Sequence, residues 1–275
     1  MFCVRRLDFM IKKITASLKK LLLSVLIIVA ALQASWAKTV LISDIDDTIK
    51  SSNILNRWAM IGNAYNVKHP FSGMSDFYNI LQREIPELSV YYVSSALTFL
   101  MMSYSHGKFL KQNNFPDGEL RLRKSTADKD FKVNTISEII LSESPETIIL
   151  IGDNGERDSN IYHTISEKFP EIKMYQFIRI NYPFDKASRI SDEQKGFISP
   201  AEIALELYQN KLLDKVDVVS QIISHSTEQI FDLPEWVNCL DHKTSLMIFA
   251  EDFSNVDLLQ RKIEDRCSLN EDFNK

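Results

Sequence analysis

Short aliphatic runs separated by amphipathic stretches set the rhythm of this chain. Val40-Leu41-Ile42, Val90-Tyr91-Tyr92-Val93 and Ile148-Ile149-Leu150-Ile151 are continuous apolar runs bounded by polar residues. That pattern predicts strands of a parallel sheet buried on both faces. Met174 to Ile180 predicts a fourth such strand. Between the runs lie helical stretches, one from Asp76 to Glu84 and one opened by Lys132, with Ile136, Ile139 and Ile140 at helical spacing. Strand–helix alternation over residues 39–180 predicts an α/β fold, a parallel sheet flanked by helices. About 40 residues separate the first two strands, too few for a separate lid domain, so a minimal cap is expected. After Pro200 the period turns helical, through Ile203, Ala204, Leu207 and Tyr208 and again over Val216 to Ile223. Residues 226–275 are less regular. The expected organisation is a sheet domain over 38–195 and a helical C-terminal extension over 196–275 that packs on it.

The first 37 residues follow another pattern. Arg5, Arg6, Lys12, Lys13, Lys19 and Lys20 precede the apolar run Leu21 to Leu32, and Ser35-Trp36-Ala37 follows. A basic region, a short apolar core and small residues at a cleavage site predict a secretory signal peptide over 1–37, with Met10 an alternative start. The apolar run falls short of the roughly 20 residues that span a bilayer. Export to a periplasm or medium is therefore expected, with an uncleaved membrane anchor as the alternative. Cleavage after Ala37 would remove six basic residues and Asp8, taking the formal net charge of the 275-residue chain from −5 to −10. An acidic mature protein offers no electrostatic footprint for nucleic acid. Any contact with an anionic membrane surface would be transient and local. Cys239 and Cys267 would remain as a potential disulfide, which the sequence leaves open because it gives no Cα separation.

Candidate chemistry sits at the ends of the predicted strands. Asp44-Ile45-Asp46-Asp47-Thr48 follows the first, Ser94-Ser95 ends the second, and Gly152-Asp153 ends the third, with Glu156 and Asp158 just beyond. Open α/β sheets place their ligand sites at these carboxyl ends. Carboxylates packed this closely repel one another and call for a cation or a proton. Mg²⁺ suits them, being a hard cation that prefers oxygen ligands. Among nearby lysines, Lys132 is favoured over Lys124 and Lys129 because it stands four residues before Ile136 on the helix that leads to the Asp153 strand. His69, His106 and His163 have no metal-ligand spacing and are expected to be structural or exposed.

In this order the motifs resemble those of the haloacid dehalogenase superfamily of aspartate-nucleophile phosphotransferases, with its Rossmann-like fold. A longer likeness is to the catalytic domain of actin-patch-type, Mg²⁺-dependent phosphatidate phosphatases. It is carried by Asp44 to Ser52, Tyr92-Val93-Ser94-Ser95, Phe115-Pro116-Asp117-Gly118-Glu119-Leu120-Arg121-Leu122-Arg123 and Ile151-Gly152-Asp153-Asn154-Gly155-Glu156-Arg157-Asp158. The chain departs from the usual pattern where Ala96-Leu97 follows the double serine and where Asn154 replaces a common serine.

The resemblance implies roles for each position. Asp44 would be the nucleophile and form an aspartyl-phosphate. Asp46 would protonate the leaving oxygen and then activate water. Asp44, Asp153 and the backbone carbonyl of Asp46 would hold Mg²⁺. Ser94, Ser95 and Lys132 would bind the phosphate, and Asp158 or Glu156 would orient Lys132 or a metal-bound water. The implied substrate is phosphatidate or a related lipid phosphate, with soluble phosphomonoesters such as nucleotides or sugar phosphates as the alternative.

Overall fold

The computed structural model describes residues 38–56, 67–98 and 101–269, together with Lys19 and Trp58. The expected signal peptide otherwise lies outside the described residues. The four predicted strands form: β1 (Thr39–Ser43), β2 (Ser89–Leu97), β4 (Thr147–Asp153) and β5 (Lys173–Arg179). Two further strands join them, β3 (Glu119–Arg123) and β6 (Gln194–Phe197). The sheet order is β3-β2-β1-β4-β5-β6, and every neighbouring pair is parallel. This is a doubly wound sheet whose order reverses between β1 and β4, where such folds gather their ligands. β1 and β4 are buried along their whole length, as two-faced aliphatic runs should be.

Parallel neighbours require crossover connections, which helices supply for every step but the last, where a loop leads from β5 to β6. The helices are α1 (Met74–Glu84), α2 (Met102–Gln112), α3 (Phe131–Glu143) and α4 (Asp158–Lys168). Helix α1 buries Met74, Phe77, Tyr78, Ile80 and Leu81, and α3 buries Ile136, Ile139 and Ile140. The chain then adds α5 (Pro200–Gln209), α6 (Val216–Gln229) and α7 (Val256–Ser268). Their apolar faces, among them Ile203, Leu207, Val219, Ile223 and Ile263, belong to the same core cluster as the sheet. Strand β6 runs across the expected 195/196 boundary. Cys239 and Cys267 are joined in a disulfide, their Cα atoms 4.9 Å apart. Among the described residues, no helix is long and apolar enough to cross a membrane.

Candidate active site

Adjacent strands β1 and β4 deliver the first two carboxylates. Asp44 is the residue after β1, and its amide donates to the carbonyl of Ile151 on β4 at 2.9 Å. Asp153 is the last residue of β4. The chain then folds back, since the carbonyl of Ile45 accepts from the amides of Thr48, Ile49 and Lys50. Asp47 takes the left-handed conformation at φ 60°, which aspartate tolerates better than most residues. Its carboxylate accepts from the amides of Ser52, Asn53 and Ile54 at 2.6 to 2.7 Å and from the Tyr182 hydroxyl at 2.6 Å. The third aspartate of the motif therefore holds the loop in shape.

Around Asp44 the charges converge. Lys132, carried in by the first turn of α3, places its Nζ 2.8 Å from Asp44 Oδ1, 2.6 Å from Asp158 Oδ1 and 2.9 Å from Glu156 Oε2. All three ammonium hydrogens thus have a carboxylate partner. Thr48 Oγ1 lies 3.2 Å from Asp44 Oδ2 and 3.3 Å from Asp153 Oδ2, close enough to donate to either. Asp153 Oδ1 accepts from the amides of Gly155 and Glu156. Asp158 packs tightly enough against β4 that a Cβ at Gly152 would fall 2.6 Å from its Oδ2, so glycine is required there.

Four carboxylates around one ammonium leave an excess of buried negative charge. Burial, and then the charges of Asp158 and Glu156, hold Asp44 well above the usual carboxylate range despite Lys132. Burial and the charges of Asp158, Asp44, Asp47 and Glu156 do the same to Asp153. Lys132 is shifted upward: burial opposes its charge, but the three carboxylates outweigh it. One oxygen from each of Asp44, Asp153 and Asp158 lies within 4.8 Å of the others. Hard oxygen donors, burial and surplus negative charge fit a small divalent cation.

Asp46 faces a second, separate set of partners. Its Oδ1 accepts from Ser52 Oγ at 2.6 Å and lies 3.4 Å from Lys50 Nζ, while its Oδ2 lies 3.1 Å from His106 Nε2. Burial raises this carboxyl, yet the hydrogen bond and charge of His106, with Lys50 and Ser52, bring it below the ordinary range. The structure therefore places it opposite to the upward shift that repulsion from Asp44 and Asp47 would give. Ser94 Oγ sits 3.3 Å from the same His106 nitrogen.

Of the residues expected from the sequence, Asp44, Lys132, Asp153, Asp158 and Glu156 come together directly. Lys124 and Lys129 are exposed, which separates them from Lys132. The two serines diverge: Ser94 turns to the Asp46–His106 side, while Ser95 Oγ donates to Glu156 Oε2 at 3.0 Å. His69 and His163 are exposed. His106 is buried against Asp46, a contact that sequence spacing could not reveal because the two residues come from different elements. Lys50 and Ser52 lay inside the recognised motif without an assigned role. A cleft of about 340 Å³ opens beside the cluster, with Ser95, Lys132, Glu156, Arg123, Lys129 and Phe131 in its wall.

Comparison with known proteins places the chain in a family. Residues 39–180 match the family described as phosphatidate phosphatase APP1, catalytic domain. Phosphatidate phosphatase APP1 of Saccharomyces cerevisiae is 30% identical over 157 residues, which is 50% of this chain and 25% of that protein. An uncharacterized protein of Schizosaccharomyces pombe is 29% identical over 155 residues, 50% of this chain and 24% of its own length. The chain thus spans about a quarter of the length of these curated relatives. Among solved structures, the class C acid phosphatase from Bacillus anthracis with tungstate bound superposes with a TM-score of 0.36 at 15% identity, over 69% of this chain and 85% of that one. A Pnkp1/Rnl/Hen1 complex gives 0.36 at 14% identity, over 53% and 47%. Both superpositions are loose, and neither bears on the roles of the site residues. The family match runs from β1 through β5 and takes in every residue of the acidic cluster, so this chain belongs to the phosphatidate phosphatase APP1 catalytic-domain family.

Proposed function

We propose that this chain is a Mg²⁺-dependent phosphatase that works through an aspartyl-phosphate on Asp44, with phosphatidate or a related lipid phosphate as its substrate. The observation that carries the reading is the environment of Asp44. One carboxylate oxygen is held by Lys132 at 2.8 Å, and the other is within reach of a Thr48 hydroxyl that also reaches Asp153. The ion pair with Lys132 fixes the orientation of the Asp44 carboxylate, and a fixed orientation is what in-line attack asks of a nucleophile.

Attack by a carboxylate oxygen of Asp44 on phosphorus breaks the ester P–O bond and leaves the phosphoryl group on Asp44. The departing oxygen takes a proton from Asp46, and Asp46 then takes a proton from the water that hydrolyses the aspartyl-phosphate. Lys132 offers positive charge to the equatorial oxygens once one of its three carboxylates yields to phosphate, and the Ser94 hydroxyl offers a hydrogen bond. Asp44 and Asp153, with Asp158 beside them and the Asp46 carbonyl implied by the family resemblance, would hold the metal ion. Bound there, Mg²⁺ supplies positive charge that offsets repulsion between an anionic nucleophile and an anionic phosphate.

Support for a lipid substrate comes from the family and from the rim of the site. Leu55 and Trp58, beyond the carboxyl end of β1, and Met101 and Tyr104, beyond that of β2, are large and exposed. Two apolar side chains, Leu55 and Met101, beside two amphipathic ones, Trp58 and Tyr104, suit contact with a lipid surface. The test is hydrolysis of phosphatidate in detergent micelles against a soluble aryl phosphate, each with Mg²⁺ and with excess EDTA. The proposal expects Mg²⁺-dependent release of phosphate, with phosphatidate preferred in kcat/KM. Full activity in EDTA contradicts the metal, and preference for the soluble ester favours nucleotide or sugar phosphates and contradicts the lipid.

A further inference from the structure

Residues beyond 180 lie outside the family match, yet Asn181, Tyr182 and, much further along the chain, Trp236 reach the catalytic loop. Trp236 stacks on Tyr182, with ring centroids 5.4 Å apart at 29°, and meets Phe71 edge-on at 6.2 Å. Its indole N–H donates to Ser51 Oγ at 3.1 Å. Each contact leads to a different part of the site. Tyr182 donates to Asp47, whose carboxylate gathers the amides of Ser52, Asn53 and Ile54. Ser51 precedes Ser52, whose hydroxyl holds Asp46. Phe71 lies under the Arg179 guanidinium at 4.2 Å, and Arg179 Nε donates at 2.8 Å to the carbonyl of Thr48, the residue between Asp44 and Asp153.

The segment that carries Trp236 is itself tied down. The Arg266 guanidinium, on α7, donates to the carbonyl of Pro234 at 2.8 Å. The Cys239–Cys267 disulfide fixes the segment three residues past Trp236. The Asn238 amide donates to the Asn181 carbonyl at 2.8 Å, and Asp241 accepts from the Phe184 amide at 2.6 Å. Asn154 clasps the Tyr182 backbone by accepting from its amide at 3.2 Å and donating to its carbonyl at 2.6 Å. Tyr182 is thus held through its backbone by Asn154 and through its ring by Trp236.

We infer that Trp236, carried on a disulfide-anchored strap of residues 234–242, is a positioning residue that holds the catalytic loop 44–54 in its working shape. The inference rests on the phosphatase reading for its kinetic consequence only. Trp236 is only partly buried, and its ring contacts and indole hydrogen bond run to Tyr182, Phe71 and Ser51 rather than to the carboxylates around Lys132. A role in the loop's geometry therefore predicts a different signature from a role in the core.

The experiment uses the full chain with Trp236→Ala and Trp236→Phe, measuring kcat and KM on phosphatidate, thermal unfolding, and amide exchange at Ser52, Asn53 and Ile54. Supports of this kind carry about 10- to 100-fold in activity. The expectation is a kcat loss of about 10-fold or more for Trp236→Ala, with KM little changed and faster exchange at the three amides. Trp236→Phe keeps a ring on Tyr182 but lacks the indole N–H, and it should recover part of both. Parental kcat in Trp236→Ala overturns the inference. So does a kcat loss in both variants that follows the fall in melting temperature while the three amides stay protected. If the parent hydrolyses no phosphate ester, the phosphatase reading fails, and the exchange at the three amides still decides whether Trp236 holds the loop.

Discussion

Asp46 shows how much one side chain's surroundings add to its place in a motif. Its spacing from Asp44 was legible in the sequence, and so was an acid–base role by resemblance. Its partners were not, because His106 arrives from α2 and only the fold brings it to 3.1 Å. With Ser52, Lys50 and His106 all favouring the anion, Asp46 is set to accept a proton from water. A dianionic phosphate ester arriving beside it pushes the other way, toward the protonated form that the first step needs. Replacing Asp46 with Asn removes proton transfer and leaves Asp44 in place. General acid help is worth typically about 10²–10⁴-fold, and an activated aryl ester needs little of it. We expect Asp46→Asn to lose far more rate on phosphatidate than on an aryl phosphate with a good leaving group. Equal losses on the two would remove the acid–base role.

At the scale of elements, periodicity found the interior and missed the edges. β1, β2, β4 and β5 are aliphatic or aromatic runs and were predicted within a few residues. β3 reads Glu-Leu-Arg-Leu-Arg and β6 reads Gln-Lys-Gly-Phe; both are short edge strands whose polar positions resemble loop. Helix α7 was hidden in the same way, since it is mostly polar and its buried face is narrow. The start of α5 carries a clear local signal, Ser199-Pro200 followed by Glu202, which forms a capping box with Pro in the first turn. Glu202 does more than cap, because it accepts from the Ile198 and Ser199 amides and lies 2.6 Å from His242 Nε2 on the strap. Burial raises its carboxyl, but His242 and the two amides outweigh burial and hold it below the ordinary range. A carboxylate depressed by folding adds stability that is present above its unfolded value, about 4.3 for glutamate, and is lost as pH falls through the folded value. Glu202→Gln should therefore cost about 1.5–3 kcal/mol in urea unfolding at pH 7. The gap between variant and parent should narrow as the pH falls below about 4. A gap that stays constant down to pH 3 would contradict the linkage.

The molecule as a whole joins a family domain to a C-terminal part that the match to residues 39–180 does not include. The disulfide, left open by the sequence, closes a loop across 28 residues of that part, worth about 3–4 kcal/mol by restricting the unfolded chain. Its weight falls on the strap, so stability in the extension and geometry at the site are coupled. The cluster itself was legible from a single chain, because strands that run parallel must bring their carboxyl ends to one edge of the sheet. The arrangement within it was not, since whether Lys132 meets Asp44, Asp158 or both depends on side-chain packing. The central claim, covalent catalysis by Asp44, is tested most directly by rapid acid quench of the full chain with ³²P-labelled phosphatidate and Mg²⁺. The account predicts labelled protein that hydroxylamine discharges, as an acyl phosphate would be, and no label on Asp44→Asn, whose turnover falls by at least about a thousandfold. Turnover of phosphatidate by a folded Asp44→Asn protein at near the parental rate, or equal labelling of the two proteins, would contradict it.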